Sequence, residues 1–217
     1  MDLLRHVFVI NLDSRPDRLE HALSEFEIID VSFERFPAIV NSDGAVGCSM
    51  SHIRCLELAI ERDYDYVFIC EDDITFTRPE VFLSSLKQFQ ESQPESWDML
   101  MIGGVVYSDK GDSYKSVENF YARVYEAQTT TGYIIPRYYM STLLKNFKDG
   151  LSGFVETGNR WTYSIDSYWK ALQRRDLWFF LTPPTVIQYA NWSNIEGAHT
   201  DYGRGMLCLQ NVPVKIE

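Results

Sequence analysis

Residues 66–77 read YVFICEDDITFT. Five mostly β-branched, aromatic or thiol side chains run straight into three consecutive carboxylates. An apolar run of this kind predicts a buried central strand. Acids directly after such a strand need a reason, because a desolvated carboxylate is costly unless paired or metal-bound. Along an extended strand Glu71 and Asp73 project to one side and Asp72 to the other. Two acids on one side at the carboxyl end of a sheet strand suit a hard cation, magnesium or manganese. Ligands of open α/β sheets bind at that end. The simpler reading is that Asp72 or Asp73 caps the next segment, but three acids exceed what a cap needs.

On the N-terminal side, residues 6–12 (HVFVINL) predict a first buried strand. Asp13 or Ser14 then caps a helix that has Pro16 in its first turn and Leu19, Leu23 and Phe26 on one face. A loop leaving a first strand into a helix N-terminus is also where nucleotides bind in such sheets. Arg15, Asp17 and Arg18 there are either a solvated first turn or part of that site. Residues 33–39 predict a short second strand. A turn at Ser42-Asp43-Gly44 opens a helix over 45–62, with so much apolar surface that it is mostly buried. His52 and Ser51 are unusual company in it. On spacing alone His52 is a satisfied core histidine.

After the central strand, Pro79 starts a helix to about Gln90. Residues 97–102 form a strand ended by Gly103-Gly104. The polar stretch 107–118 predicts a mobile loop. Strands follow at 120–126 and 129–135, and a helix from Pro136 to about Phe147. Residues 148–161 hold three glycines and read as a loop. Ser164 caps a helix with Ile165, Trp169 and Leu172 inward. Short strands at 177–181 and 185–189 flank Pro183-Pro184, and a polar, irregular, flexible tail begins at about 191. Strands alternating with helices predict a single α/β domain over 1–217 with a mainly parallel sheet flanked by helices.

Composition narrows the function. The chain has 217 residues, 45% hydrophobic and 14% aromatic, enough to build a large core, and a net charge of -11. That balance argues against nucleic acid or an anionic membrane as the main partner. The opening MDLLRHVFVINL is too short and too interrupted for a signal peptide. No run is long enough for a transmembrane helix, and peripheral membrane contact stays open. Cys48, Cys55, Cys70 and Cys208 sit mostly in apolar patterns, which predicts free thiols in a reducing compartment, the cytoplasm.

Three stretches together resemble glycosyltransferase family 25: FVINLDSRPDRLEHALSEF near the start, GAVGCSMSHIRCLELAIERDYDYVFICEDDITF from Gly44 to Phe76, and PPTVIQYANWSNIEG near the end. The resemblance runs from about residue 6 to 197. The family includes lipooligosaccharide galactosyltransferases and collagen β-galactosyltransferases. It implies a GT-A-type, Rossmann-like fold, a UDP-sugar donor, a divalent metal (Mn2+, or Mg2+) and inversion at the anomeric carbon. Glu71-Asp72-Asp73 matches the family's EDD, its version of the DxD motif. Glu71 and Asp73 are then the metal ligands and Asp72 a donor-binding residue. Asn194 stands where the family often has Asp, so no charged role passes to it.

The resemblance further implies that the nucleotide lies near Asn11, Arg15 and Arg18, with Ser51 and His52 close by. Galactose is the favoured sugar, glucose the next, and a glycan such as lipooligosaccharide the acceptor. A hydroxylysine-type protein acceptor is the alternative. Asp166, in a first helical turn after a glycine-rich loop, is the candidate base for the acceptor hydroxyl, with Glu156 in reserve. On spacing alone Asp166 merely meets the helix dipole. His199, in the glycine-rich tail, is either an ordinary surface histidine or the candidate third metal ligand, since imidazole suits manganese. Arg204 in the same tail either binds a phosphate or is solvated. A haloacid-dehalogenase-type phosphatase also places acids after a buried strand, but EDDIT lacks its DxDx[TV] spacing. A non-catalytic sugar-nucleotide-binding module is the other rival.

Overall fold

Strand β1 (Val7–Asn11) is buried at every position. In the computed structural model, which describes residues 2–92, 94, 96–106 and 114–207, β1 is flanked by β2 (Glu34–Pro37) and β3 (Tyr66–Glu71), both parallel to it. Helix α1 (Pro16–Ile28) connects β1 to β2, and α2 (Gly44–Glu61) carries the chain back across β1 to β3. Ala22 and Phe26 of α1 pack in one core, Cys55, Leu56 and Ala59 of α2 in the other, so the two helices cover opposite faces. The connection therefore reverses direction at β1. Such a switch point opens a crevice at the carboxyl ends of the strands, here Asn11 and Glu71.

Beyond β3 the sheet continues through β5 (Met99–Val106), β6 (Tyr114–Glu118), β7 (Tyr121–Val124), β8 (Ala127–Pro136) and β9 (Trp178–Leu181), in the order β2-β1-β3-β8-β5-β9-β7-β6. Strands β8 and β7 run against their neighbours. The other six strands share one direction, so the sheet is mainly parallel with two reversed strands inserted. Side-chain alternation along β3 sends Val67 and Ile69 to one core and Phe68 and Cys70 to the other. Helix α3 (Pro79–Ser92) joins α1 over one face, and α4 (Arg137–Thr157) joins α2 over the other.

Several sequence expectations change. The first helix is not capped by Asp13 or Ser14. Its N-cap is Arg15 with Pro16 at the first position, and Asp13 pairs with Arg35 instead. β5 does not stop at Gly103-Gly104 but runs through them with register shifts. A Cβ on Gly104 would stand 2.8 Å from the Gln128 carbonyl, so glycine is what lets β8 approach there. The expected loop over 148–161 is mostly the continuation of α4 to Thr157. Gly150 and Gly153 lie where Tyr168 and Tyr163 press on the helix, and an added Cβ would come within 2.9 and 2.4 Å of those rings. The glycines serve packing, not a break. Gly158, at φ 67, is the left-handed residue that ends the helix.

After α4 come three short helices, α5 (Arg160–Tyr163), α6 (Ile165–Tyr168) and α7 (Lys170–Arg175). Strand β4 (Ile74–Phe76) leaves the main sheet and pairs with β10 (Val186–Gln188). The tail read as irregular forms a hairpin, β11 (Asn191–Ser193) with β12 (Ala198–Thr200), followed by α8 (Gly203–Met206). Residues 114–118 of the expected polar loop form β6. Residues 107–113 and Cys208 lie outside the described residues. Cys48, Cys55 and Cys70 are free thiols. No described helix is long and apolar enough to cross a membrane.

Candidate functional site

The parallel register sets Ile10 beside Glu71, so the three acids emerge next to Asn11 at the switch point. β3 ends at Glu71 and the chain turns at Asp72-Asp73. That turn breaks the alternation expected along an extended strand. Asp72 and Asp73, not Glu71 and Asp73, therefore meet on one partner. Arg18 Nη1 donates to Asp72 Oδ1 at 2.7 Å, and Arg18 Nη2 to Asp73 Oδ2 at 2.9 Å. Asn11 Nδ2 donates to the other oxygen of Asp72 at 2.7 Å. Arg35 in turn donates to Asn11 Oδ1 at 2.8 Å.

Glu71 points elsewhere. The antiparallel register pairs Cys70 with Gly132, and this brings the start of β8 over the acids. Thr130 donates its hydroxyl to Glu71 Oε1. His52 Nε2 lies 3.5 Å from the same oxygen, and Cys48 Sγ lies 3.8 Å from it. The other nitrogen of His52 bonds the Tyr133 hydroxyl at 3.0 Å.

Burial dominates the electrostatics. Asp72 is 4% exposed and Asp73 6%. Desolvation raises the pKa of Asp73 to about 7, and the neighbouring Glu71 charge adds to it. Asp72 is also raised by burial, with Arg18 opposing. Burial pushes Glu71 up as well, but the nearby His52 and the Thr130 hydroxyl outweigh that and hold it low. Among the described residues, Asp73 Oδ1 is buried without a hydrogen-bond partner. Two buried carboxylates sharing one guanidinium, one of them with an orphaned oxygen, and a third carboxylate at the adjacent strand end fit a divalent cation.

The acids floor a cleft of about 670 Å³ bounded by the β1–α1 turn, α2, the start of β8, α5–α6 and the hairpin. That volume is in the range of small-ligand sites. Asp166, in the first turn of α6, lines it. Its Oδ2 accepts the Thr129 amide at 3.2 Å and so supports Thr129 at φ 74. Burial raises the Asp166 carboxyl pKa. Arg15 reaches Trp192 O and Asn194 Oδ1, both at 3.1 Å, and Arg18 reaches Asn191 Oδ1 at 2.6 Å, so the β1–α1 turn holds the hairpin over the acids.

Asn11, Arg18, Asp72, Asp73, Glu71, His52 and Asp166 thus gather around one crevice, with Arg15 at its edge. Ser51 is buried nearby, but its hydroxyl fastens the Ile39 amide at 2.8 Å and the Gly47 carbonyl. His199 is not brought to the acids: it pairs across the hairpin with Trp192 on its exposed face, while Thr200 lines the cleft. Glu156 is exposed on α4, outside the cleft lining. Arg204 lies in α8. Cys48, Thr130, Arg160 and Asn191 were not selected by sequence. The i,i+4 spacing of Cys48 and His52 on a helix was the one available signal.

A family model described as glycosyltransferase family 25 (LPS biosynthesis protein) matches residues 40–152, more than half of the chain. The chain belongs to glycosyltransferase family 25. The matched segment contains α2, the three acids and most of α4. A Haemophilus influenzae protein with a glycosyltransferase name is 27% identical over 171 residues, 65% of this chain and 58% of that one. A glycosyltransferase 25 family member of Drosophila pseudoobscura pseudoobscura is 31% identical over 101 residues, 34% of this chain and 16% of its own length. This chain therefore spans less than two thirds of either relative. Among solved structures, a Thermus thermophilus protein called mannose-1-phosphate geranyltransferase has a TM-score of 0.47 at 9% identity, over 81% of this chain and 72% of that one. A glycosyltransferase involved in glycosylation of the major capsid of PBCV-1 has a TM-score of 0.45 at 8% identity, over 82% of this chain and 91% of that one.

Proposed function

We propose that this family 25 chain is a UDP-sugar-dependent hexosyltransferase that acts with inversion. Galactose is the favoured sugar, glucose the next, and a glycan of the lipooligosaccharide type the acceptor. The observation that carries this reading is the buried acid cluster at the switch-point crevice, with Asp73 Oδ1 left without a hydrogen-bond partner among the described residues. Asp73, with Glu71, would hold Mn2+ or Mg2+. Such a cation supplies positive charge where a leaving diphosphate develops negative charge.

The protein's own groups account for the rest. Arg18 and Asn11 hold Asp72 and Asp73 in fixed orientations, so little reorganisation is needed when a donor arrives. The hairpin and α5–α6 wall the cleft and limit water at the reacting carbon. Asp166 takes the proton of the attacking acceptor hydroxyl on Oδ1, since Oδ2 is engaged by Thr129. Its raised pKa makes it a stronger base than an exposed carboxylate, and general bases contribute roughly 10²–10⁴-fold.

The test is a panel of nucleotide sugars with Mn2+, read as released UDP, with glycan and hydroxylysine-peptide acceptors in parallel. Turnover should require one UDP-hexose, an acceptor and the cation. Unchanged release with a chelator present would overturn the metal assignment. Tight UDP-sugar binding without any turnover would replace the enzyme by a binding module.

A further inference from the structure

Helix α2 turns Cys48 and His52 to one side, one turn apart, and β3 ends with Glu71 facing them. Among the described residues, Cys48, His52 and Glu71 offer one ligand atom each, all within 4.8 Å of one another. Two of the three separations are 3.5 Å (His52 Nε2 to Glu71 Oε1) and 3.8 Å (Cys48 Sγ to Glu71 Oε1). Tetrahedral zinc with ordinary Zn–S, Zn–N and Zn–O bonds needs separations of about 3.4–3.6 Å. A cation fits after shifts of a few tenths of an ångström to about one ångström.

A second observation points to a ligand. His52 is fully buried, and its Nε2, 3.5 Å from Glu71 Oε1, has no hydrogen-bond partner among the described residues although it faces this cluster. An orphaned buried ring nitrogen is costly unless something occupies the place in front of it. The ring is held from behind by the Tyr133 hydroxyl at Nδ1, and Glu71 is oriented by Thr130. Metal-ligating histidines and carboxylates are typically held by such outer partners.

We infer that Cys48, His52 and Glu71 form a binding site for a borderline-soft divalent cation of the Zn2+ class. It shares Glu71 with the hard-cation place at Asp73 and draws its other two ligands from α2. A thiolate and an imidazole select zinc or cobalt over magnesium. The fourth position opens to the cleft, because Cys48 and Glu71 both line it. Binding converts the Cys48 thiol to a thiolate and releases its proton to solvent. No electron is transferred and no co-reactant is consumed.

The inference does not rest on the transferase reading, because its readout is spectroscopic. Co2+ titrated into the reduced wild-type chain should give a thiolate-to-cobalt charge-transfer absorption that saturates near one equivalent and is abolished by Zn2+. Asp73→Asn should keep the band. Cys48→Ser should lose it, with Zn2+ affinity falling by more than the roughly 10–100-fold that outer partners contribute. Should Cys48→Ser fail to fold, Zn2+ protection of Cys48 from alkylation in the wild type, mapped by peptide mass, provides the second measurement. Absence of the band in the wild type, an equal band in Cys48→Ser, or full alkylation of Cys48 under saturating Zn2+ would each overturn the site.

Discussion

Asp73 meets Arg18 with one carboxylate oxygen, at 2.9 Å, and keeps the other buried without a hydrogen-bond partner among the described residues. The guanidinium satisfies half of a carboxylate that burial and Glu71 together push up to about 7. The next two expectations follow from this half-satisfied pair.

The first is a pH dependence of stability. An acid whose folded pKa lies above its unfolded value, here about 7 against 3.8, holds a proton in the folded state that the unfolded chain has lost. The unfolded state then binds fewer protons, so stability falls as pH rises from about 4 to about 7. Asp73→Asn removes that component. Without metal, the melting temperature of Asp73→Asn minus that of the wild type should increase across this window and level off above it. A difference independent of pH would show that Arg18 compensates Asp73 fully.

Arg18→Gln should be strongly destabilising, because it leaves Asp72 and Asp73 buried and without their cation. Breaking a buried pair by removing one partner costs roughly 3–5 kcal/mol. Added Mn2+ or Mg2+ should recover part of the loss by supplying positive charge to the same oxygens. Thermal melts with and without the cation check this. A variant as stable as the wild type would remove Arg18 from the network.

Asp166→Asn retains an acceptor for the Thr129 amide, so the positive-φ backbone there should persist. Donor affinity should be unchanged while the transfer rate falls at least ~100-fold. Asp166→Ala loses the acceptor too and should cost about 1–3 kcal/mol of stability in addition. Near-normal transfer by Asp166→Asn would end the base assignment.

Gly153→Ala would normally favour a helix by up to ~1 kcal/mol. Here the new Cβ stands 2.4 Å from Tyr163 Cε1, and the ring must move. Overpacking typically costs ~1–3 kcal/mol, so the variant should melt lower. Gly153→Ala with Tyr163→Leu should recover stability if the clash is the cause.

The acid stretch, the helix over 44–61 and the alternation of strands with helices were legible because they are local. Apolar periodicity and a run of carboxylates are properties of neighbours in the chain. The family resemblance rested on contiguous stretches of the same kind, residues 8–26, 44–76 and 183–197. The glycines of α4 misled because their reason lies on another element: Tyr163 and Tyr168 occupy the space of the missing side chains. The same applies to Gly104, whose neighbour is the Gln128 carbonyl of β8.

Sequence alone determined that an α/β sheet would present Glu71, Asp72 and Asp73 at a strand end, since hydrophobic burial of residues 66–70 drives them there. It could not determine which acids act together. The turn after Glu71 gave Asp72 and Asp73 to Arg18, 54 and 55 residues away. The reversed strand β8 gave Glu71 to Thr130, beside Cys48 and His52. Those partnerships depend on side chains far apart in sequence meeting at hydrogen-bonding distance. Only sheet order and register set that distance, so only the tertiary structure decided them.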